Sequence, residues 1–145
     1  MSRLPVLAPV DMGRTAAAFL LTAVVEVGLR ALRLPRLASI LGVPIALDQQ
    51  PLQHNIPDPV VIPRWARRRL AASRRVLRHW PFGDTCLRQA LVGGAMIRSL
   101  EPALRIGVTK RDGGVRAHAW IEIEGISLDP GSKDFASIER TVHSD

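Results

Sequence analysis

The chain has a single cysteine, Cys86, among 145 residues. One cysteine excludes an internal disulfide framework and any zinc site built on several thiolates. The histidines, His54, His79, His118 and His143, show no metal-ligand spacing, and nothing in the pattern calls for a cofactor. No hydrophobic run is long enough to span a bilayer. The longest, Ala16 to Val25 with Thr22 inside it, stops at Glu26, well short of the roughly 20 apolar residues a membrane span needs. Arg3 and Arg14 precede that run but no small-residue cleavage site follows it, which argues against an export signal and for a cytoplasmic protein with no stable membrane insertion. Acidic residues are missing between Asp58 and Asp84, where Arg64, Arg67, Arg68, Arg69, Arg74, Arg75 and Arg78 stand. The formal charge of +7 sits in that window, and basic and acidic residues balance elsewhere. A case for nucleic-acid binding therefore concerns one segment and not a whole surface.

What is present suits one globular domain: 47% of residues are hydrophobic and 23% charged, enough for a core and a solvated surface. Residues 14–34 lack interior proline, are rich in Ala and Leu and read as a helix, with Pro35 ending it or opening a short second one. Residues 1–43 form an N-terminal helical segment. Residues 44–63 hold five of the eleven prolines and read as an extended connector. Residues 64–145 carry the suggestive chemistry, within one compact domain overall. A helix over 64–80 places Trp65, Leu70, Leu77 and Trp80 along one side and the arginines on the rest. Asp84 or Thr85 can cap the next helix, Cys86 to about Leu100. It is apolar on most faces, and Gly93 and Gly94 inside it imply close approach of a neighbouring element. After Pro102 the period becomes that of strands. Leu104, Ile106 and Val108 alternate with Arg105, Gly107 and Thr109, Asp112-Gly113-Gly114 makes a turn, and strands follow over 115–123 and 126–130. The fold class is α+β, with a central Cys-bearing helix on a small antiparallel sheet.

The register of the last hairpin decides the chemistry, because a slip of one residue exchanges the two faces. With Glu124-Gly125 as a two-residue turn, Ile123 pairs with Ile126, and Ala119, Ile121, Ile123, Ile126 and Leu128 share an apolar face. His118, Trp120, Glu122, Ser127 and Asp129 share the other, with Asp129 opposite Trp120 and diagonal to His118, a separation that a carboxylate and an imidazole can bridge. Cys86 falls in the first turn of its helix, where exposed N–H groups favour a thiolate. A helix-borne thiol, a strand histidine and an acid on the adjacent strand are the parts of a thiol hydrolase. Taken singly, a cysteine in an apolar helix is most often a small buried hydrophobe, and a strand histidine most often a satisfied residue. Trp120 either walls the substrate cleft or covers the catalytic hydrogen bond.

The runs Cys86-Leu87, Leu104-Arg105-Ile106-Gly107-Val108, His118-Ala119-Trp120-Ile121-Glu122 and Leu128-Asp129-Pro130 resemble the transglutaminase-like superfamily and, within it, the B2 proteins of lasso peptide biosynthesis. The resemblance implies a transglutaminase-like, papain-like core in which Cys86 is the nucleophile, His118 the base and then acid, and Asp129 the orienting carboxylate. It implies a leader peptidase that cuts a ribosomally made precursor peptide, acting with a discrete leader-recognition protein and ahead of a separate ATP-dependent lasso cyclase. Ser99-Leu100-Glu101-Pro102-Ala103 lacks the glycine often found in relatives at the entry to the first strand. Two other readings stand beside this one: a different transglutaminase-like amidase or acyltransferase, and a non-catalytic basic protein binding peptide or nucleic acid through the arginine helix. No recognised nucleic-acid motif accompanies that helix. If Arg67, Arg68, Arg74 and Arg75 have a role beyond solvation, it is to meet an acidic peptide or protein partner near Cys86.

Overall fold

A computed structural model of the chain describes residues 9–46, 62–129 and 136–137. The middle of the proline-rich connector, residues 47–61, lies outside the described residues, as does Pro130. Four helices come first in the chain: α1 (Pro9–Ala31), α2 (Leu34–Ile40), α3 (Arg64–Arg78) and α4 (Cys86–Met96). A single 3-10 turn (Arg98–Leu100) leads into β1 (Ala103–Arg111), β2 (Gly114–Ile123), β3 (Ile126–Ser127) and β4 (Ala136–Ser137), which form an antiparallel sheet in the order β3-β2-β1-β4.

Several boundaries differ from the sequence reading. The first helix starts at Pro9 and stops at Ala31, and α2 takes Pro35 in its first turn, where the missing N–H costs nothing. The Cys-bearing helix ends at Met96 and not near Leu100, because Ile97 leaves helical geometry and Glu101 adopts a left-handed backbone with φ 51°. That is the conformation a glycine would take at least cost, so the absent glycine is replaced by a strained glutamate while β1 begins regardless. The start of the connector is not free-standing: Leu104 donates to the Pro44 carbonyl and Ala46 to the Leu104 carbonyl, both at 2.9 Å, closing the outer edge of β1. Trp65 does not join the core side of α3. It is 37% exposed and lies under the Arg69 guanidinium, because it is rotated about 100° around the helix from its neighbour Ala66 and so falls off the side made by Ala66, Leu70 and Leu77.

The core lies between the helices and one face of the sheet. Ala119, Ile121 and Ile123 meet Leu91, Val92 and Ile97 there, with Val43 and Leu104 closing one side. Gly94 is why α4 can sit so close, since a Cβ on it would lie 2.8 Å from both methyls of Val43 and 3.3 Å from Ile121. Arg69, one of the seven arginines, belongs to the scaffold. Its guanidinium donates to the Met96 carbonyl at 3.0 Å and so caps the C-terminal end of α4.

The N-terminal helix is tied to the Cys-bearing helix by a charge cluster. Glu26, 6% exposed, accepts from Arg88 Nε at 2.8 Å and Nη2 at 3.2 Å, is paired with Arg30 at 3.0 Å, and accepts from Trp80 Nε1 at 3.4 Å. The Arg88 hydrogen bonds, aided by Trp80 and the charges of Arg88 and Arg30, outweigh burial and hold the Glu26 carboxyl below its ordinary value of 4.5. A carboxylate with a lowered pKa in the folded state contributes stability above the unfolded value and loses it as pH falls through the folded one. Thermal melts from neutrality down through pH 4.5 should therefore show an acid loss of stability in the native chain that is flatter in Glu26→Gln. An identical acid slope in both proteins would remove Glu26 from the account.

Candidate active site

Cys86 is the first residue of α4. Thr85 is the cap, its Oγ1 accepting from the Arg88 N–H at 3.4 Å, while Asp84 instead accepts from Gln89 Nε2 at 2.8 Å. The cysteine is half-buried, packed against the core on one side. Its position at the start of an eleven-residue helix places unsatisfied backbone N–H groups beside the sulfur.

The 124–125 turn has φ 53° at Glu124 and 78° at Gly125, the positive pair of a two-residue I′ hairpin. Ile123 accordingly pairs with Ile126 and Glu122 with Ser127, as the alternation of apolar residues predicts. Regular pairing stops at Ser127, yet Leu128 still donates to the Ile121 carbonyl at 3.0 Å, so the register carries on to Asp129. Ser127 fixes the end of the strand, its hydroxyl donating to the Asp129 carbonyl and accepting from the Asp129 N–H, each at 3.0 Å. Asp129 Oδ2 thereby forms a short hydrogen bond with His118 Nε2. Because Nε2 faces the carboxylate, Nδ1 is the ring nitrogen that can serve a thiol. Across the sheet the partner of His118 is Gly107, which puts no side chain beside the imidazole.

Cys86, His118 and Asp129 line one open pocket of about 240 Å³, together with Trp120, Gln89 and Arg74. It lies at the edge of β2 past the end of β3. Ala119 and Ile121 from the apolar face therefore reach it as well as His118 and Trp120 from the opposite one. Trp120 is 2% exposed, and its ring stacks on the imidazole with centroids 5.8 Å apart and planes 25° apart. It is chiefly a cover for the histidine that also contributes to the pocket. Its Nε1 donates to Glu122 Oε1 at 3.1 Å, and Arg105 Nε donates to Glu122 Oε2 at 2.9 Å.

The four arginines singled out in the sequence separate. Arg74 lines the pocket, and Arg67, two helical turns earlier, stands on the same side of α3. Arg68 and Arg75 flank Ala72, which packs on Ala18 of α1, so they lie towards the other edge of α3 and away from the pocket. Trp80 and His79, six and seven residues upstream of Cys86, do not line the pocket, and Trp80 is held in the Glu26 cluster against Phe19. Gln89 is a pocket residue that sequence reasoning passed over. Its spacing, three residues after Cys86, was the available signal, because such pairs share a helix face. Among the described residues no group of three His, Cys, Asp or Glu side chains is placed to hold a metal ion.

A helix-borne thiol and a His–Asp couple at the end of a hairpin share one pocket of an α+β fold. The family described as the transglutaminase-like superfamily matches residues 22–140, and the chain belongs to it. The superfamily includes cysteine proteases, and its members are often cysteine-dependent enzymes. No curated protein and no solved structure matches the chain.

Proposed function

We propose that this protein is a cysteine peptidase that removes the leader from a ribosomally made precursor peptide of the lasso class, working in the cytoplasm with a discrete leader-recognition protein. The observation that carries the hydrolase reading is the shared pocket of Cys86 and the His118–Asp129 couple, in chain order nucleophile, base and orienting acid. The leader-peptidase assignment rests on the motif resemblance, and Arg74 at the pocket adds a cation suited to a carboxylate on the incoming peptide.

In the proposed reaction the Cys86 thiolate attacks the scissile carbonyl carbon, and the C–S bond forms as charge moves onto the carbonyl oxygen. Backbone N–H groups at the start of α4 hold that oxyanion. His118 gives its proton to the leaving amine and the C–N bond breaks, leaving a thioester. His118 then takes a proton from water, whose oxygen attacks the thioester, releasing the carboxylic acid and restoring the cysteine. Asp129 keeps the ring oriented throughout with Nδ1 towards sulfur.

The test is to incubate the protein with a precursor peptide and its recognition protein and weigh the products. Hydrolysis gives two fragments whose masses together exceed the precursor by one water, and in isotopically heavy water the label enters the new carboxyl terminus. An adduct between the acyl fragment and an added amine, without uptake of water, would establish acyl transfer instead. An intact precursor under conditions where the recognition protein binds it would overturn the leader-peptidase reading.

A further inference from the structure

The surface of α1 is reversed relative to an ordinary surface helix. Its outward side presents Val10, Met12, Phe19, Leu20, Val24 and Val27, each between 53% and 66% exposed. Its polar side chains are engaged elsewhere: Asp11 with Arg14, Thr22 with the Ala18 carbonyl, and Glu26 with Arg88 and Trp80. The helix has 23 residues, about 34 Å at 1.5 Å per residue, and is apolar enough over 18 of them to meet the measure of a membrane span. It does not stand apart as a span would, since Ala18 and Val25 are wholly buried and Glu26 binds the Cys-bearing helix.

Around this apolar side the charge has one sign. Among the described residues of α1, α2 and α3 the acids are Asp11 and Glu26, both ion-paired, whereas Arg33, Arg36, Arg64, Arg68, Arg75 and Arg78 are exposed. We infer that this helical layer docks on an anionic membrane surface, with α1 lying in the plane of the headgroups and the arginines meeting lipid phosphates.

Two features favour lipid over protein. A protein interface makes about one hydrogen bond per 100–200 Å², and on the outward side of α1 the exposed hydrophobics leave Arg30, near its C-terminal end, as the side chain able to make one. A second copy of the chain would bring arginines against arginines with no acid between them. It would also need polar residues flanking a narrow seam, where this helix has Met12 and Phe19 and is apolar across about half its circumference.

The experiment is co-sedimentation of the full chain with vesicles of phosphatidylcholine alone and of phosphatidylcholine with an equal part of phosphatidylglycerol, at low and high salt. Binding is expected to the mixed vesicles, weakened by salt and absent or slight on the neutral ones. The pair Leu20→Glu with Val24→Glu should abolish it. Arg68→Gln with Arg75→Gln should weaken it by about 25-fold, taking about fivefold for each arginine near an anionic surface. Circular dichroism identical to that of the native chain shows that each variant is folded. No sedimentation of the native chain with the mixed vesicles, or equal sedimentation of the Glu pair, would overturn the inference. So would a dimer in analytical ultracentrifugation that the Glu pair dissociates, since a second copy would then be the occupant.

Discussion

Cys86→Ala is expected to lower the rate of peptide cleavage on the order of 10⁴-fold or more, while the chain stays folded and still binds its partner. The fold should tolerate the change because Cys86 is half-buried at the start of α4, and losing its sulfur leaves the Thr85 cap in place. His118→Ala should be as damaging, because one side chain both protonates the leaving amine and activates water. The two residues act as a unit, so the double variant should be scarcely slower than either single one. Asp129→Asn should cost less, by roughly one to two orders of magnitude, since Trp120 also supports the ring from its face. Alkylation of Cys86 gives a readout independent of any substrate: iodoacetamide should react rapidly near neutral pH in the native chain and more slowly in His118→Ala. Full cleavage by Cys86→Ala would sink the thiol mechanism. An unchanged alkylation rate in His118→Ala would separate the histidine from the sulfur.

The residues of this site were readable because strand alternation has only two phases. Once Ile121, Ile123, Ile126 and Leu128 had to share a face, Asp129 could only arrive beside His118. Cys86 was readable from its cap. The sequence did not disclose that both faces of β2 reach the pocket, since that depends on where β3 ends and the edge of the sheet opens. Nor did it separate Arg67 and Arg74 from Arg68 and Arg75. A helix with so wide a polar surface does not announce which margin borders the pocket and which borders α1, and only packing through Leu70 and Ala72 decides. Trp65 was misplaced for the same reason. Glu101 is a further case, because a left-handed residue without glycine leaves no local signal.

The burial of Glu122 was also hidden, and it leads to the second large effect. In the hairpin pattern Glu122 looks like a solvent-facing residue, but its carboxylate is 3% exposed and spans Arg105 and Trp120. Seeing this requires the β1–β2 register, which the Asp112–Gly113 turn sets by pairing Arg111 with Gly114, so that Arg105 falls opposite Trp120. Arg105→Ala would strand a buried carboxylate, at a cost of about 3–5 kcal/mol, measurable by urea denaturation. The Arg105→Met, Glu122→Leu pair should recover most of that loss, because neither charge is then buried alone. Activity should not recover with it. The pair leaves the Trp120 N–H without its Glu122 acceptor, and Trp120 is the surface on which His118 stacks. Loosening that support should lower kcat by up to about 10²-fold, the order of loss expected from a 1 Å misplacement, with a smaller change in KM. Restoring Glu122 in an Arg105→Lys background should return part of both properties, since a lysine supplies charge without the directed guanidinium hydrogen bond. If the Met–Leu pair regained stability and full kcat together, the Arg105–Glu122–Trp120 chain would serve folding alone and the imidazole would be positioned by Asp129 without it.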